Sequence, residues 1–346
     1  MKIDVLTVGG SPKDILPSTL ELRGVGGAEL ALLTWAELMS RSGHIVTVYN
    51  QTLHGHDLNI YNNGTLIYAP DAIYNPDANR DILVTFRGPN ELSKVSKYKK
   101  HIGWSCDQMT MGDYISWYNS VDKMVLISEF HKKDHEFRYG MNLVDSRAAV
   151  LDLGVRTWEY ESYGKEKVPY QFIFCSVPDR GLNELAVIWP QVKQILPEAT
   201  LIITSDYTLW GAPEPYNTQF KLRYAGMPGV KFVGNIPRSQ LVEYQQSSEV
   251  QLYPCIYDEN FCIANAECQV AGCYTITSNK GALDTTNFTG PKIFGNYSPD
   301  KYISEVKMYY NLDKNTRLEL AAATRSKAFG RFGWKTIARQ WESIFG

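Results

Sequence analysis

Residues 250–284 read VQLYPCIYDENFCIANAECQVAGCYTITSNKGALD. A β-rich run (250–253) stops at Pro254, and a short polar loop ends in Asp258-Glu259. A helical segment over 261–271 then closes at Gly272, and a second β-rich run (274–277) enters the turn at Lys280-Gly281. That order is a β-loop-α-β unit, in which amides at the helix start lack partners and face outward toward an anion. The pattern assigns those amides to Phe261, Cys262 and Ile263. Glu259 stands just ahead of the helix and Glu267 inside it, with seven residues between them. At roughly 1.5 Å per residue they lie about 12 Å apart along the axis. Such a separation excludes a shared proton and suits two ends of one elongated ligand. A mid-helix glutamate is commonly a solvated face residue, so Glu267 taken alone decides nothing.

Working outward, the same alternation fills the chain. The first half offers β-rich runs at 3–8, 45–49, 66–68, 82–86, 102–104, 124–128 and 148–151, with helices over 28–42 and 129–139. The second half repeats it, with β-rich runs at 171–175, 200–205 and 230–233, and helices over 180–196 and 239–246. Helical patterns at 300–311, 315–328 and 334–345 close the chain. Strands alternating with helices predict parallel sheets covered on both faces. The polar run 159–169 reads as the linker between two domains. Near the start, Gly24-Val25-Gly26-Gly27 precedes a helix, where phosphate is readily received. The dinucleotide fingerprint needs a third glycine at position 29, which is Glu29, so that motif fails.

With 346 residues, 44% hydrophobic and 21% charged, the chain is long enough for two domains. A formal net charge of −2 argues against a broad nucleic-acid surface. The sequence enters a strand at once, without an apolar leader or a run long enough to span a membrane, which predicts a cytoplasmic protein. Four of the six cysteines (Cys255, Cys262, Cys268, Cys273) crowd into the quoted stretch, but none forms a C-x-x-C pair. Buried reduced thiols are expected rather than a metal site.

The quoted stretch resembles the E-x7-E signature of retaining glycosyltransferases of the GT-B fold, in particular family 4 (glycosyl transferases group 1). The resemblance is carried by Glu259-Asn260-Phe261-Cys262-Ile263, Ala266-Glu267, Ala271-Gly272-Cys273 and Gly281-Ala282-Leu283. Gly26-Gly27-Ala28-Glu29, Trp104-Ser105-Cys106-Asp107 and Leu153-Gly154-Val155-Arg156 are similar to further landmarks of that family. It implies two Rossmann-like domains facing across a cleft: residues 1–165 on the acceptor side, 166–328 binding the nucleotide-sugar, and a helix in 329–346 crossing back to the first. The resemblance also implies roles. Glu259 sits beside the transferred sugar, and Phe261, Cys262 and Ile263 offer amides to sugar hydroxyls and phosphate. Glu267 holds the ribose. Arg180 neutralises diphosphate, helped by Lys280, Gly281 and the Gly26-Gly27 turn. Cys106 and Asp107 line the acceptor side.

Departures are visible as well. Cys106 replaces the usual histidine, and Ser176 or Cys175 replaces a first basic residue. His131 and His135 read as a solvated helix face, and Arg238 as a surface cation near a helix cap in preference to a substitute phosphate ligand. The chain has no Asp-x-Asp pair for a divalent ion, so leaving charge falls to preorganised cations and amides. The expected activity is metal-independent, cofactor-free hexosyl transfer. A UDP-, GDP- or ADP-sugar is the donor, and a glycan, lipid-linked or protein-linked hydroxyl the acceptor. Nucleic acid is excluded as a partner, and peripheral membrane contact stays open. Two alternatives remain: a non-catalytic protein that binds nucleotide-sugar, or a nucleotide-sugar epimerase of the same fold. A nicotinamide oxidoreductase is remote, since the fingerprint fails at Glu29.

Overall fold

The computed structural model describes all residues except 8–14, 51–52, 54–56, 110–111, 162–165 and 205. The expected runs 3–8 and 200–205 and the expected linker each extend partly outside the described residues. The chain runs through β1 (Lys2–Thr7), α1 (Thr19–Leu22), α2 (Gly27–Arg41), β2 (Ile45–Asn50), β3 (Asn59–Tyr61), β4 (Leu66–Pro70), β5 (Ile82–Phe86) and β6 (Lys100–Trp104). Next come α3 (Tyr114–Ser120), β7 (Lys123–Leu126), α4 (Glu129–Tyr139) and β8 (Ala148–Val150). The later elements are β9 (Val168–Cys175), α5 (Leu182–Ile195), β10 (Thr200–Thr204), α6 (Pro215–Tyr224), β11 (Val230–Gly234), α7 (Arg238–Ser247) and β12 (Ser248–Tyr253). The chain ends with α8 (Ile263–Val270), β13 (Tyr274–Ser278), α9 (Leu283–Thr286), β14 (Lys292–Ile293), α10 (Pro299–Tyr310), α11 (Lys314–Phe332) and α12 (Trp334–Phe345).

Two compact units result. Unit 1 comprises Met1–Pro17, Gly27–Gly154 and Trp334–Gly346; unit 2 comprises Ser18–Gly26 and Val155–Gly333. The junction lies after Gly154, whereas residues 159–169 were expected to link the domains. The 3-10 turn Thr157–Tyr160 is already part of unit 2, with Tyr160 fully buried.

Unit 1 is built on an eight-stranded sheet in the order β3-β4-β2-β1-β5-β6-β7-β8, parallel except for edge strand β3. Every residue of β5 (ILVTF) is buried, as a strand covered on both faces requires. The terminal helix α12 belongs to this unit. Its Trp341 packs against Trp35 of α2 at 5.2 Å and Trp104 of β6 at 5.0 Å between ring centroids. Burying a large side chain of this kind contributes roughly 1.5–3 kcal/mol. Helix α4 is fixed at both ends: the Ser128 hydroxyl accepts the His131 amide at 3.0 Å, and Gly140 closes it in the left-handed conformation.

Unit 2 carries a six-stranded parallel sheet in the order β11-β10-β9-β12-β13-β14. Phe172 and Phe174 of β9, Trp189 of α5, Leu252 of β12, Ile276 of β13 and Tyr302 of α10 form one buried core. Strand order reverses between β9 and β12, and ligands of open α/β sheets bind outside the carboxyl ends of the strands at such a switch point. Residues 176–181 and 254–259 are those loops.

Helix α8 begins at Ile263, later than the expected 261, because Cys262 takes up a left-handed backbone (φ 72°). The axial estimate of the Glu259–Glu267 separation therefore does not apply, since Glu259 lies outside the helix. Strand β3 and helices α3 and α6 carried no clear pattern in the sequence.

Candidate active site

The loop after β12 is pinned by a glycine. Glu259 forms an isolated parallel bridge with Gly281, and the Ala282 amide donates to the Glu259 carbonyl at 2.7 Å. Gly281 has φ +57°, and a Cβ there would stand 2.4 Å from the Glu259 carbonyl oxygen. Only glycine permits that approach without strain. A second clasp joins the two switch-point loops. Gly181 (φ +107°) lies so close to β12 that a Cβ would meet the Pro254 carbonyl oxygen at 2.4 Å. This clasp brings Arg180, at the end of the 3-10 turn Pro178–Arg180, beside Glu259.

The Glu259 side chain is 13% exposed, and its Oε1 lies 3.5 Å from Arg180 Nε. The Tyr253 hydroxyl donates to the same oxygen at 2.7 Å and lies 3.2 Å from the Ser176 hydroxyl. Burial pushes the Glu259 carboxyl above the usual carboxylate range, opposed by the Arg180 charge and the Tyr253 hydrogen bond. Arg180 also donates to Asp179 at 2.6 Å and lies over the Tyr257 ring at 3.5 Å. Its plane is thus fixed by a carboxylate and an aromatic face, a preorganised cation at a strand end. Lys280, next to the Gly281 bridge, is exposed and has no ion pair with a described residue. Phe261 is buried against Phe332 at 5.7 Å between ring centroids, which anchors the approach to α8. The amides at the α8 start are those of Cys262, Ile263 and Ala264, so the expected set of Phe261, Cys262 and Ile263 shifts by one residue.

Glu267 occupies a separate cluster of the same unit. It is 2% exposed, which excludes a solvated face. Arg238 Nη1 lies 2.7 Å from its Oε1, and the Gln245 amide donates to its Oε2 at 3.2 Å. Arg238 was expected at the surface; it is 6% exposed and also donates to Glu159 at 2.7 Å. A cation at the first residue of a helix opposes the helix dipole. That conflict was the signal in the sequence that a carboxylate must stand nearby.

Within unit 1, Gly27 opens α2, and Glu29 in its first turn accepts from Arg87 at 2.7 Å. Gly26 lies one residue earlier, at the end of the segment assigned to unit 2. Arg87 follows β5 with a left-handed backbone (φ 74°) and donates to Asp107 at 2.6 Å. Arg87 carried no motif in the sequence; its position directly after the mostly apolar run 82–86 was the available clue. Cys106 is 6% exposed, and burial pushes its thiol well up, so it serves as a packed neutral group. His131 and His135 are not a solvated face: both are fully buried. His131 Nε2 contacts the Asp107 carbonyl at 3.0 Å, His135 Nε2 contacts Ser105 Oγ at 2.9 Å, and the rings meet edge-on at 4.2 Å. Burial depresses them to about 4 and about 2, so both are neutral. Together they support the segment 105–107 from behind.

All six cysteines are buried and free. Among the described residues, no group of three or more His, Cys, Asp or Glu side chains is arranged to hold a metal ion. None of the described helices is long and apolar enough to cross a membrane.

Residues 176–325 match the family model described as Glycosyl transferases group 1. That span holds Arg180, Arg238, Glu259, Glu267, Lys280 and Gly281. Among solved structures, the chain is similar to sucrose-phosphate synthase from Thermosynechococcus elongatus, with 14% identity and a TM-score of 0.71 over 99% of this chain and 98% of that one. It is also similar to a glycosyltransferase involved in avilamycin A biosynthesis (14% identity, TM-score 0.69, 99% and 96% covered). A third is Anabaena HepE in complex with UDP-glucose (15% identity, TM-score 0.68, 99% of each chain). No curated protein matches the chain in sequence. These likenesses establish the fold: two α/β domains with parallel sheets, of the GT-B type.

Proposed function

We propose that this chain transfers a sugar from a nucleotide-sugar donor to an acceptor hydroxyl, as a retaining, metal-independent glycosyltransferase of family 4. The observation that carries the proposal is the Glu259–Arg180 pair, held by two glycine clasps at the strand-order reversal of unit 2. The chemical barrier is the separation of a diphosphate leaving group from a developing oxocarbenium ion. Fixed cations lower that barrier when they face the charge as it develops, and losing one such group typically costs on the order of 10²–10³ in rate. Arg180 and Lys280 are assigned that part, with the amides at the α8 start.

Glu259 is assigned to the face of the transferred sugar. Glu259 and Glu267 lie in separate hydrogen-bonded clusters, and a covalent double displacement by a close carboxylate pair, about 5 Å apart, is not assigned to them. Same-face attack assisted by a leaving phosphate oxygen is the remaining route to retention. Glu267 is assigned to the ribose. Asp107, braced by Arg87, and the neighbouring Cys106 are assigned to the acceptor side. The solved HepE complex with UDP-glucose favours a UDP-linked hexose as the first donor to test. A cytoplasmic location and a glycan, lipid-linked or protein-linked acceptor complete the proposal.

The test is incubation with UDP-, GDP- and ADP-sugars and simple acceptors, with and without a chelator. Released nucleoside diphosphate and the product anomer are followed by NMR. Retained configuration with chelator-resistant turnover is the expected result. Inverted product or full dependence on added Mn²⁺ or Mg²⁺ contradicts the mechanism. Nucleotide binding without turnover supports the non-catalytic alternative, and donor conversion without acceptor supports the epimerase.

A further inference from the structure

Arg156, Glu159, Arg238 and Glu267 form a row of alternating charges inside unit 2. Arg156 Nε donates to Glu159 at 2.6 Å, Arg238 Nε donates to Glu159 at 2.7 Å, and Arg238 Nη1 reaches Glu267 Oε1 at 2.7 Å. Tyr160 is tied to the same row: its hydroxyl donates to Gln245 at 2.5 Å and receives Arg238 Nη2 at 3.2 Å. One feature of the row points to a ligand. Glu267 Oε1 is buried, and among the described residues its one close partner, Arg238 Nη1 at 2.7 Å, is not aligned as a hydrogen-bond donor. Among the described residues its Oε2 receives one donor, Gln245. A carboxylate has about four lone-pair sites, so even with the Arg238 contact counted roughly half of this buried group's accepting capacity is unfilled. An acceptor-only group of this kind matches a pair of hydroxyl donors, as on a ribose.

We infer that Arg238 is a positioning residue for donor binding: it aims the buried Glu267 carboxylate and keeps it charged for the hydroxyls of the nucleotide's ribose. This rests on the assignment of Glu267 to the donor given above. Without Arg238, a buried carboxylate is left without its counter-charge and takes up a proton instead. A protonated Glu267 has lost accepting capacity, so the defect appears in donor affinity and depends on pH. Burial raises the Glu267 carboxyl, Arg238 and Gln245 lower it, and Glu159 raises it. Tyr160 also faces Glu267, and Cys268 in turn faces Tyr160. Farther out are Cys175, against Gln245, and Arg325, against Tyr160 and Val270. Lys167 lies against Ala271 and Cys273.

Two variants should move the acid limb of donor KM in opposite directions. Arg238→Gln should raise donor KM about tenfold at the acid end of the profile, with most of the loss recovered as pH rises. The change should fall on KM rather than kcat. Arg238→Lys, which keeps a cation, should restore much of the wild-type profile. Glu159→Gln removes the charge that raises Glu267, so its limb should move toward lower pH. A pH-independent KM change in Arg238→Gln, or a Glu159→Gln limb that stays put or moves upward, overturns the inference. If Arg238→Gln does not fold, the sign of the Glu159→Gln displacement decides by itself. Wild-type turnover tests sugar transfer separately. If the wild type turns over no donor, the same displacements are read on UDP affinity by calorimetry.

Discussion

Replacing Gly281 with alanine should disable the site from a position whose side chain touches no substrate. The new Cβ would stand 2.4 Å from the Glu259 carbonyl oxygen and 2.6 Å from its amide nitrogen. Ordinary contact is about 3.5 Å, so the loop must move by roughly 1 Å. The φ of +57° adds about 1–2 kcal/mol of left-handed strain for alanine. Overpacking adds about 1–3 kcal/mol. At about 2–4 °C per kcal/mol for a unit of this size, Tm should fall by roughly 5–15 °C. A displacement of about 1 Å at a reacting group costs on the order of 10²-fold in rate, so kcat should fall by about that factor in the fraction that remains folded. Gly226→Ala is the control. Its φ is +76°, but nothing lies within 4 Å of the added Cβ. It should show only the backbone penalty, about 1–2 kcal/mol, with kcat unchanged. Differential scanning calorimetry and donor turnover on both variants decide. A Gly281→Ala protein with wild-type Tm and kcat would refute the clasp.

Further outcomes follow from the same geometry. Arg180→Ala should lower kcat on the order of 10²–10³, and Arg180→Lys should recover only part, because the bond to Asp179 and the stack on Tyr257 need a planar fork; equal activity of Lys and Arg would count against the role. Trp341→Ala should destabilise unit 1 by about 3–5 kcal/mol in a denaturant titration, since the ring packs against Trp35 and Trp104. His101 and His131 are depressed to about 4 and His135 to about 2 in the folded chain, whereas unfolded histidine titrates near about 6.5. The unfolded state therefore binds more protons below that value, and stability should fall as pH drops from about 7 toward about 4. A His131→Asn/His135→Asn variant should show a shallower fall across that window, measured as Tm against pH; an unchanged slope would contradict the burial argument.

Much of the fold was legible because β-rich runs alternate with helical segments, several of them opened by a polar cap or closed by glycine. Residues 129–139 form a helix ended by Gly140 because Ser128 and Gly140 specify those ends locally. What escaped the sequence depends on distant neighbours. Arg238 and Glu267 each carry surface chemistry, and only the fold of unit 2 brings Glu159, Gln245 and Tyr160 around them. His131 and His135 stand one helical turn apart among charged neighbours, so their helix reads as polar all round. Their burial is set by the segment 105–107 and by Tyr114, which packs edge-on against His135 at 5.1 Å between ring centroids. Phe261 looks helical in the sequence, whereas the left-handed Cys262 separates it from the first turn of α8.

The assignment of separate roles to the two glutamates is tested most directly by measuring UDP affinity and single-turnover donor cleavage on Glu259→Ala and Glu267→Ala in parallel. Glu259→Ala should still bind UDP while losing cleavage. Glu267→Ala should bind UDP more weakly and keep measurable cleavage at saturating donor. Cleavage that survives in Glu259→Ala, or unchanged UDP affinity in Glu267→Ala, would contradict the proposed division of labour at this site.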